Sequence, residues 1–150
     1  MSLRNVLAPE AIRLHLTATN AEEALAELVG TLGLTDESRN TVERLLRRRE
    51  EIGSTGVGHG VAIPHTRCLT VERLRLAYGH SPEGLEWHAI DGHPVHHIFL
   101  IAAPTTEGGD RYLPVLGKVA QFAKEPEVLH QLTKLTEPEE VLALMEERGV

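Results

Sequence analysis

The sequence has a single cysteine, Cys68, in 150 residues. That excludes an internal disulfide framework and any zinc site needing a pair of thiolates. Long apolar runs are also missing. The longest, Ile98 to Ala103, falls far short of a bilayer span, and the first residues lack the basic-then-apolar layout of a secretory signal. We therefore expect no direct membrane insertion and a cytoplasmic location, with which the lack of disulfides is compatible. There is no excess of positive charge: 15 Lys and Arg against 22 Asp and Glu give a net charge of −7. An overall negative field repels a phosphate backbone, so nucleic acid is not an expected partner.

The length suits one domain, residues 1–150, and 41% hydrophobic residues can fill its core. Two hydrophobic periods alternate along the chain. Ile12, Leu14 and Leu16 interleave with Arg13, His15 and Thr17, the period-two pattern of a strand covered on one face. Asn20 then reads as an N-cap with Glu23 three residues on, ahead of Ala21, Ala24, Leu25, Leu28, Val29 and Leu32 at helical spacing. Gly33 suits the cap at the other end. A second helix is expected from about Arg39 to about Glu51, burying Val42, Leu45 and Leu46. Arg49 follows Val42 by seven and shares that inward side. It either carries its head out past the core or is held against something anionic. Its neighbours Arg44, Arg47 and Arg48 read as a solvated face.

Further on, Val61 to Ile63 reads as a short buried strand ended by Pro64. Leu74 and Leu76 alternate into Tyr78, and Trp87 to Ile90 is a weaker strand turned by Asp91-Gly92. Val95 followed by Ile98 to Ala103 is a central strand, apolar on both faces and stopped by Pro104. The rest is helical. Asp110 is expected to cap a helix with an inward stripe of Tyr112, Leu116, Val119, Ala120 and Ala123. Pro126 opens a short helix through Val128, Leu129 and Leu132. Thr136 with Glu139 is expected to cap the last, which carries Val141, Leu142 and Met145 and closes at Gly149. The expectation is a single layered α/β domain, a mixed sheet flanked by helices on both sides.

Nine histidines are many for this length. His93, His96 and His97 cluster, yet His96 and His97 are adjacent in a strand and point to opposite faces, so no metal site is expected there. His15, His80, His88 and His130 read as surface residues. The conspicuous stretch is Gly53 to Arg67, with four glycines between Gly53 and Gly60, then a buried strand, a proline and His65. Ligands of open α/β sheets bind at such exits. The same spacing equally suits a histidine that ends a strand and bonds to its own loop. No Gly-Lys-Ser/Thr follows, so a nucleotide loop is not indicated.

The segment from Arg49 to His65, with its Gly-Val-Ala-Ile-Pro-His ending, closely resembles the phosphorylation segment of enzyme IIA proteins of the sugar phosphotransferase system, of the fructose/mannitol type including its nitrogen-regulatory branch. Leu7 to Ile12 resembles the family's N-terminal lead-in, and Val95 to Pro104 with the Tyr112 helix its later half. The resemblance implies that His65 accepts a phosphoryl group from the small carrier protein HPr or its nitrogen-branch counterpart. The group then passes to a IIB component or stays as a regulatory mark read by a target protein. A neutral imidazole can serve as that nucleophile without metal or cofactor. Arg49 matches the family's arginine and is implied to be a phosphate partner, with Thr55 and the loop amides around Gly60 as lesser donors.

Two positions depart from the family. His59 stands where many members have asparagine, and Tyr112 where they carry a second histidine. A tyrosine hydroxyl can hold a phosphoryl oxygen, but with an ordinary pKa near ~10 it does not exchange protons as imidazole does. That departure favours a signalling role over rapid onward transfer.

Overall fold

A computed structural model of the chain describes residues 2–105 and 111–150. After a 3₁₀ turn at Leu3–Asn5 come β1 (Leu7–Arg13), α1 (Ala21–Val29), α2 (Asp36–Ile52), β2 (Gly56–Gly58), β3 (Val61–Ala62), β4 (His65–Arg67), β5 (Arg75–Leu85), β6 (Val95–Ala103), α3 (Tyr112–Ala123), α4 (Pro126–Leu132) and α5 (Pro138–Glu147). The strands form one mixed sheet in the order β1-β5-β6-β3-β2, with β4 also on β6. β5 and β6 run antiparallel, whereas β1 on β5, and β3 and β4 on β6, are parallel.

Strand β6 is the spine. Apart from half-buried His96 its side chains are buried, as expected of a strand that is apolar on both faces. On one face Phe99 meets Phe122 of α3 edge-on, with centroids 6.1 Å apart. On the other, Gly79 of β5 lies under Leu16 and Leu28 of α1, so tightly that a Cβ would come within 3.0 Å of both. Helices therefore cover both faces.

Local signals explain the elements. Asn20 Oδ1 accepts from the Glu23 amide at 2.8 Å, as its N-cap reading requires. That helix stops at Gly30, and Gly33 supplies a left-handed turn three residues later. α2 starts earlier than expected because the Thr35 hydroxyl caps it by accepting from Ser38. The last capping box is shifted by one residue: Glu137 is the N-cap, and the Glu140 carboxylate accepts from the Thr136 and Glu137 amides.

Other expectations need correction. β1 begins at Leu7, and the alternating residues Leu14 and Leu16 lie beyond its end; Leu16 continues the pattern by a single bond to the His80 carbonyl. Pro9 is accommodated because β1 is an edge strand whose register slips between Leu7 and Ile12. In α3 the buried stripe uses Val115 and Phe122, while Ala120 faces solvent. The expected cap at Asp110 lies outside the described residues. Trp87 to Ile90 is no strand. It is a strap held by its ends, the Trp87 carbonyl accepting from Ser54 Oγ at 2.7 Å and the Ile90 amide donating to Gly56.

This strap makes Gly56 indispensable. A Cβ there would stand 2.7 Å from Ala89 Cβ and 3.0 Å from Ala89 Cα, contacts only backbone movement can relieve. Gly56→Ala should lower stability by about 1–3 kcal/mol, read from the urea midpoint. An unchanged midpoint would mean that the strap is not held against the loop.

Candidate active site

His65 owes its position to a break in the sheet. β3 and β4 lie along the same edge of β6, Val61 beside His97 and His65 beside Ile101. Between them Ile63 donates its amide to Thr55 rather than to β6, and Pro64 has no amide to give. Pairing resumes when the Pro64 carbonyl accepts from Ile101. The detour leaves the Ile63 carbonyl facing the ring of His65, whose Nδ1 lies 2.6 Å away. A carbonyl oxygen only accepts, so Nδ1 carries the proton and, in the neutral ring, Nε2 keeps its lone pair. The residues leading in, Val61 to Pro64, are buried, while His65 itself is half-buried. A rigid stem thus presents one nucleophilic nitrogen at the surface.

Tyr112, at the first turn of α3, sets its ring against His65, with centroids 6.2 Å apart and planes tilted by 52°. Burial raises its pKa, and the nearby Arg67 guanidinium pulls it back down, so at neutral pH the hydroxyl stays a donor. Arg67 is the residue that sequence reasoning missed. Two positions beyond His65 on β4, it leaves the same face of the strand, and its guanidinium carbon lies 5.2 Å from the Tyr112 ring centroid. The i, i+2 spacing was the available signal.

The other expected residues lie elsewhere. Arg49 is exposed at the last turn of α2, beyond the apolar stripe that ends at Leu46, and donates to the Gly53 carbonyl at 2.6 Å. Its inward orientation is thus corrected: the helix end projects past the core. Thr55 is buried, and both its amide and its hydroxyl donate to the Glu50 carboxylate; the hydroxyl also accepts from Trp87 Nε1. With its donors committed, Thr55 fastens the glycine-rich loop to α2. His59 adopts a left-handed backbone, φ 58°, with its amide on Asp91 Oδ2 at 2.9 Å. Asparagine tolerates that conformation best among residues with a Cβ, which accounts for the relation between the two at this position.

His59 and Gly60 border a separate cavity of about 480 Å³, together with His80, His96, His97 and His130. It lies at the start of β3, about 13 Å along the edge from the His65 position at 3.3 Å per residue. His80 is buried rather than at the surface. It stacks on His97 with centroids 5.0 Å apart and bonds through Nδ1 to the Leu14 carbonyl, while His97 Nδ1 lies 2.7 Å from the Tyr78 hydroxyl. Burial depresses both imidazoles, His97 to about 3. Among the described residues no group of three or more His, Cys, Asp or Glu side chains is arranged to hold a metal ion, and no helix is long and apolar enough to cross a membrane.

A single mixed sheet with helices on both faces is the architecture that this chain shares with solved phosphotransferase IIA proteins. The chain matches the family model for the phosphoenolpyruvate-dependent sugar phosphotransferase system, EIIA 2, over residues 5–148, and it belongs to that family of phosphoryl carriers. It is 32% identical over 133 residues to a nitrogen regulatory protein of Bradyrhizobium diazoefficiens, covering 88% of this chain and 86% of that one. The crystal structure of nitrogen regulatory protein IIA-Ntr from Neisseria meningitidis is 30% identical, with a TM-score of 0.85 over 94% of this chain and 97% of that chain. Enzyme IIA mannitol of Escherichia coli, solved in complex with phosphorylated enzyme IIB mannitol, shares the fold at 20% identity, with a TM-score of 0.77 over 95% of this chain and 100% of that chain. Against the fructose-specific EIIABC component of Bacillus subtilis, 28% identical, 97% of this chain spans only 23% of the relative's length.

Proposed function

We propose that His65 receives a phosphoryl group from the phosphohistidine of an HPr-like carrier and delivers it to a IIB component. The observation that carries this reading is the bond from His65 Nδ1 to the Ile63 carbonyl on a half-exposed ring, which reserves Nε2 for attack. In the step, the Nε2 lone pair forms a bond to phosphorus while the donor's P–N bond breaks, and that electron pair returns to the donor imidazole. The His65 proton stays on Nδ1, where phosphorylation strengthens its bond to the carbonyl. Such a transfer needs positioning and charge neutralisation more than covalent chemistry. Tyr112 orients a phosphoryl oxygen through its hydroxyl. Arg49, a phosphate partner by the family resemblance, keeps N–H groups beyond the one given to Gly53.

A protein donor needs a surface to dock on. Five large hydrophobic residues are exposed among those described: Ile52, Val57, Leu69, Ile90 and Leu113. They belong to the end of α2, the glycine-rich loop, the segment after β4, the strap and the start of α3, the last of which also carries Tyr112 beside His65. Exposed apolar side chains of this kind suit transient protein contact.

A second reading has its own support. Tyr112 replaces the proton-exchanging histidine, and the relatives at 30% identity or more include nitrogen regulatory proteins beside a fructose-specific EIIA component. In that reading the phosphoryl group remains on His65 as a switch, adding about two negative charges that alter affinity for a target protein. Incubation with phosphorylated HPr tests both. An acid-labile adduct is expected, and no adduct would overturn both readings. A chase with IIB domains then separates them: transfer supports the carrier, retention with state-dependent binding supports the switch.

A further inference from the structure

We propose that Arg67 is a positioning residue for phosphoryl transfer, acting through Tyr112, so that the two together do the work of a polar donor and its counter-charge beside His65. The inference rests on the reading of His65 as the phosphoryl acceptor.

Three side chains from two elements converge. His65 and Arg67 leave the same face of β4, and both lie against one ring, that of Tyr112: His65 at 6.2 Å between centroids and Arg67 at 5.2 Å from the guanidinium carbon. Arg67 is exposed, and its Nη2 donates to the Thr105 carbonyl at 3.2 Å. The guanidinium is thus held over the face of the tyrosine. A cation on the π-face draws electron density from the ring and makes the phenol a stronger hydrogen-bond donor. It also adds to the packing that holds the ring of this buried tyrosine at the helix start. A dianionic phosphoryl group on His65 would then lie beside a phenol that carries a positive charge on its ring face, an arrangement that stabilises negative charge. Lysine offers the charge without the planar stack or the fork, so it replaces only part of this.

The test measures phosphoryl transfer from phosphorylated HPr to the intact chain for wild type, Arg67→Gln, Arg67→Lys, Tyr112→Phe and the Arg67→Gln/Tyr112→Phe double variant. Arg67→Gln should lower kcat about twofold to fivefold with KM for phosphorylated HPr unchanged. Arg67→Lys should recover part of the loss. The double variant should fall no further than Tyr112→Phe alone, because Arg67 works through the phenol. Multiplying losses, a change confined to KM, or an unaffected Arg67→Gln would each overturn the proposal and leave His65 as acceptor. Failure of the wild type to be phosphorylated would instead remove the reading on which it rests.

Discussion

His65→Gln should reduce acid-labile labelling by phosphorylated HPr to background while leaving the fold intact. Glutamine keeps a donor that can reach the Ile63 carbonyl, which now accepts from Nδ1 at 2.6 Å, so the local hydrogen bond has a replacement. What it lacks is a nucleophilic nitrogen, since an amide nitrogen has no available lone pair. The position is half-buried at the end of the rigid stem, so stability should change by no more than about 1 kcal/mol. The chain carries eight other histidines, which makes the variant discriminating. His80 and His97 are buried and closed to a docking protein, but His15, His59, His88, His93 and His130 are exposed and His96 is half-buried. Label persisting in the variant at wild-type level would move the acceptor to one of these and remove the mechanistic role given to the strand break.

Much of this was legible in the sequence where one interaction dominates. The central strand Val95–Ala103 was readable because burial on both faces leaves an unbroken apolar run, and α1 because Asn20 caps it by a bond between near neighbours. The strand at Trp87 to Ile90 was misread for the opposite reason. Trp87 is buried not by pairing in a ladder but by bonds to Ser54 and Thr55, more than thirty positions away, and hydrophobic pattern does not distinguish the two. The site divides in the same way. The glycine-rich run, Pro64 and His65 announce themselves locally. Their grouping with Tyr112 and Arg67 depends on α3 docking beside β4, and the withdrawal of His59 and Gly60 toward another cavity depends on β3 pairing with the start of β6. Spacing along the chain carries neither.

Lowering the pH from 7 to 4.5 should destabilise the protein steeply, and the stacked histidines set the slope. An unfolded histidine takes up a proton near pH 6.5. In the folded chain His97 resists protonation down to about 3, because burial removes water from the cation and His80 and His96 repel it. His80 is depressed in the same direction, chiefly by burial, with the Leu14 carbonyl opposing and His96 and His15 adding repulsion. Below pH 6.5 the unfolded state therefore binds more protons than the folded one, so stability is complete above that pH and is lost as the solution is acidified toward 3. At about 1.4 kcal/mol per pH unit, His97 alone should cost about 2–3 kcal/mol by pH 4.5. The carboxylates of Glu23, Asp91 and Glu140, lowered mainly by backbone amide bonds, begin to add their own loss only toward the acid end of this range, so the slope between about pH 6.5 and about 5.5 isolates the imidazoles. His97→Leu supplies the control. It strips the Tyr78 hydroxyl of its partner and should lower stability at pH 7 by about 1–3 kcal/mol, yet its acid slope should be shallower than that of the wild type. Urea unfolding curves for the two proteins should then converge near pH 4.5, whereas parallel curves would mean that His97 takes up its proton without leaving the folded state.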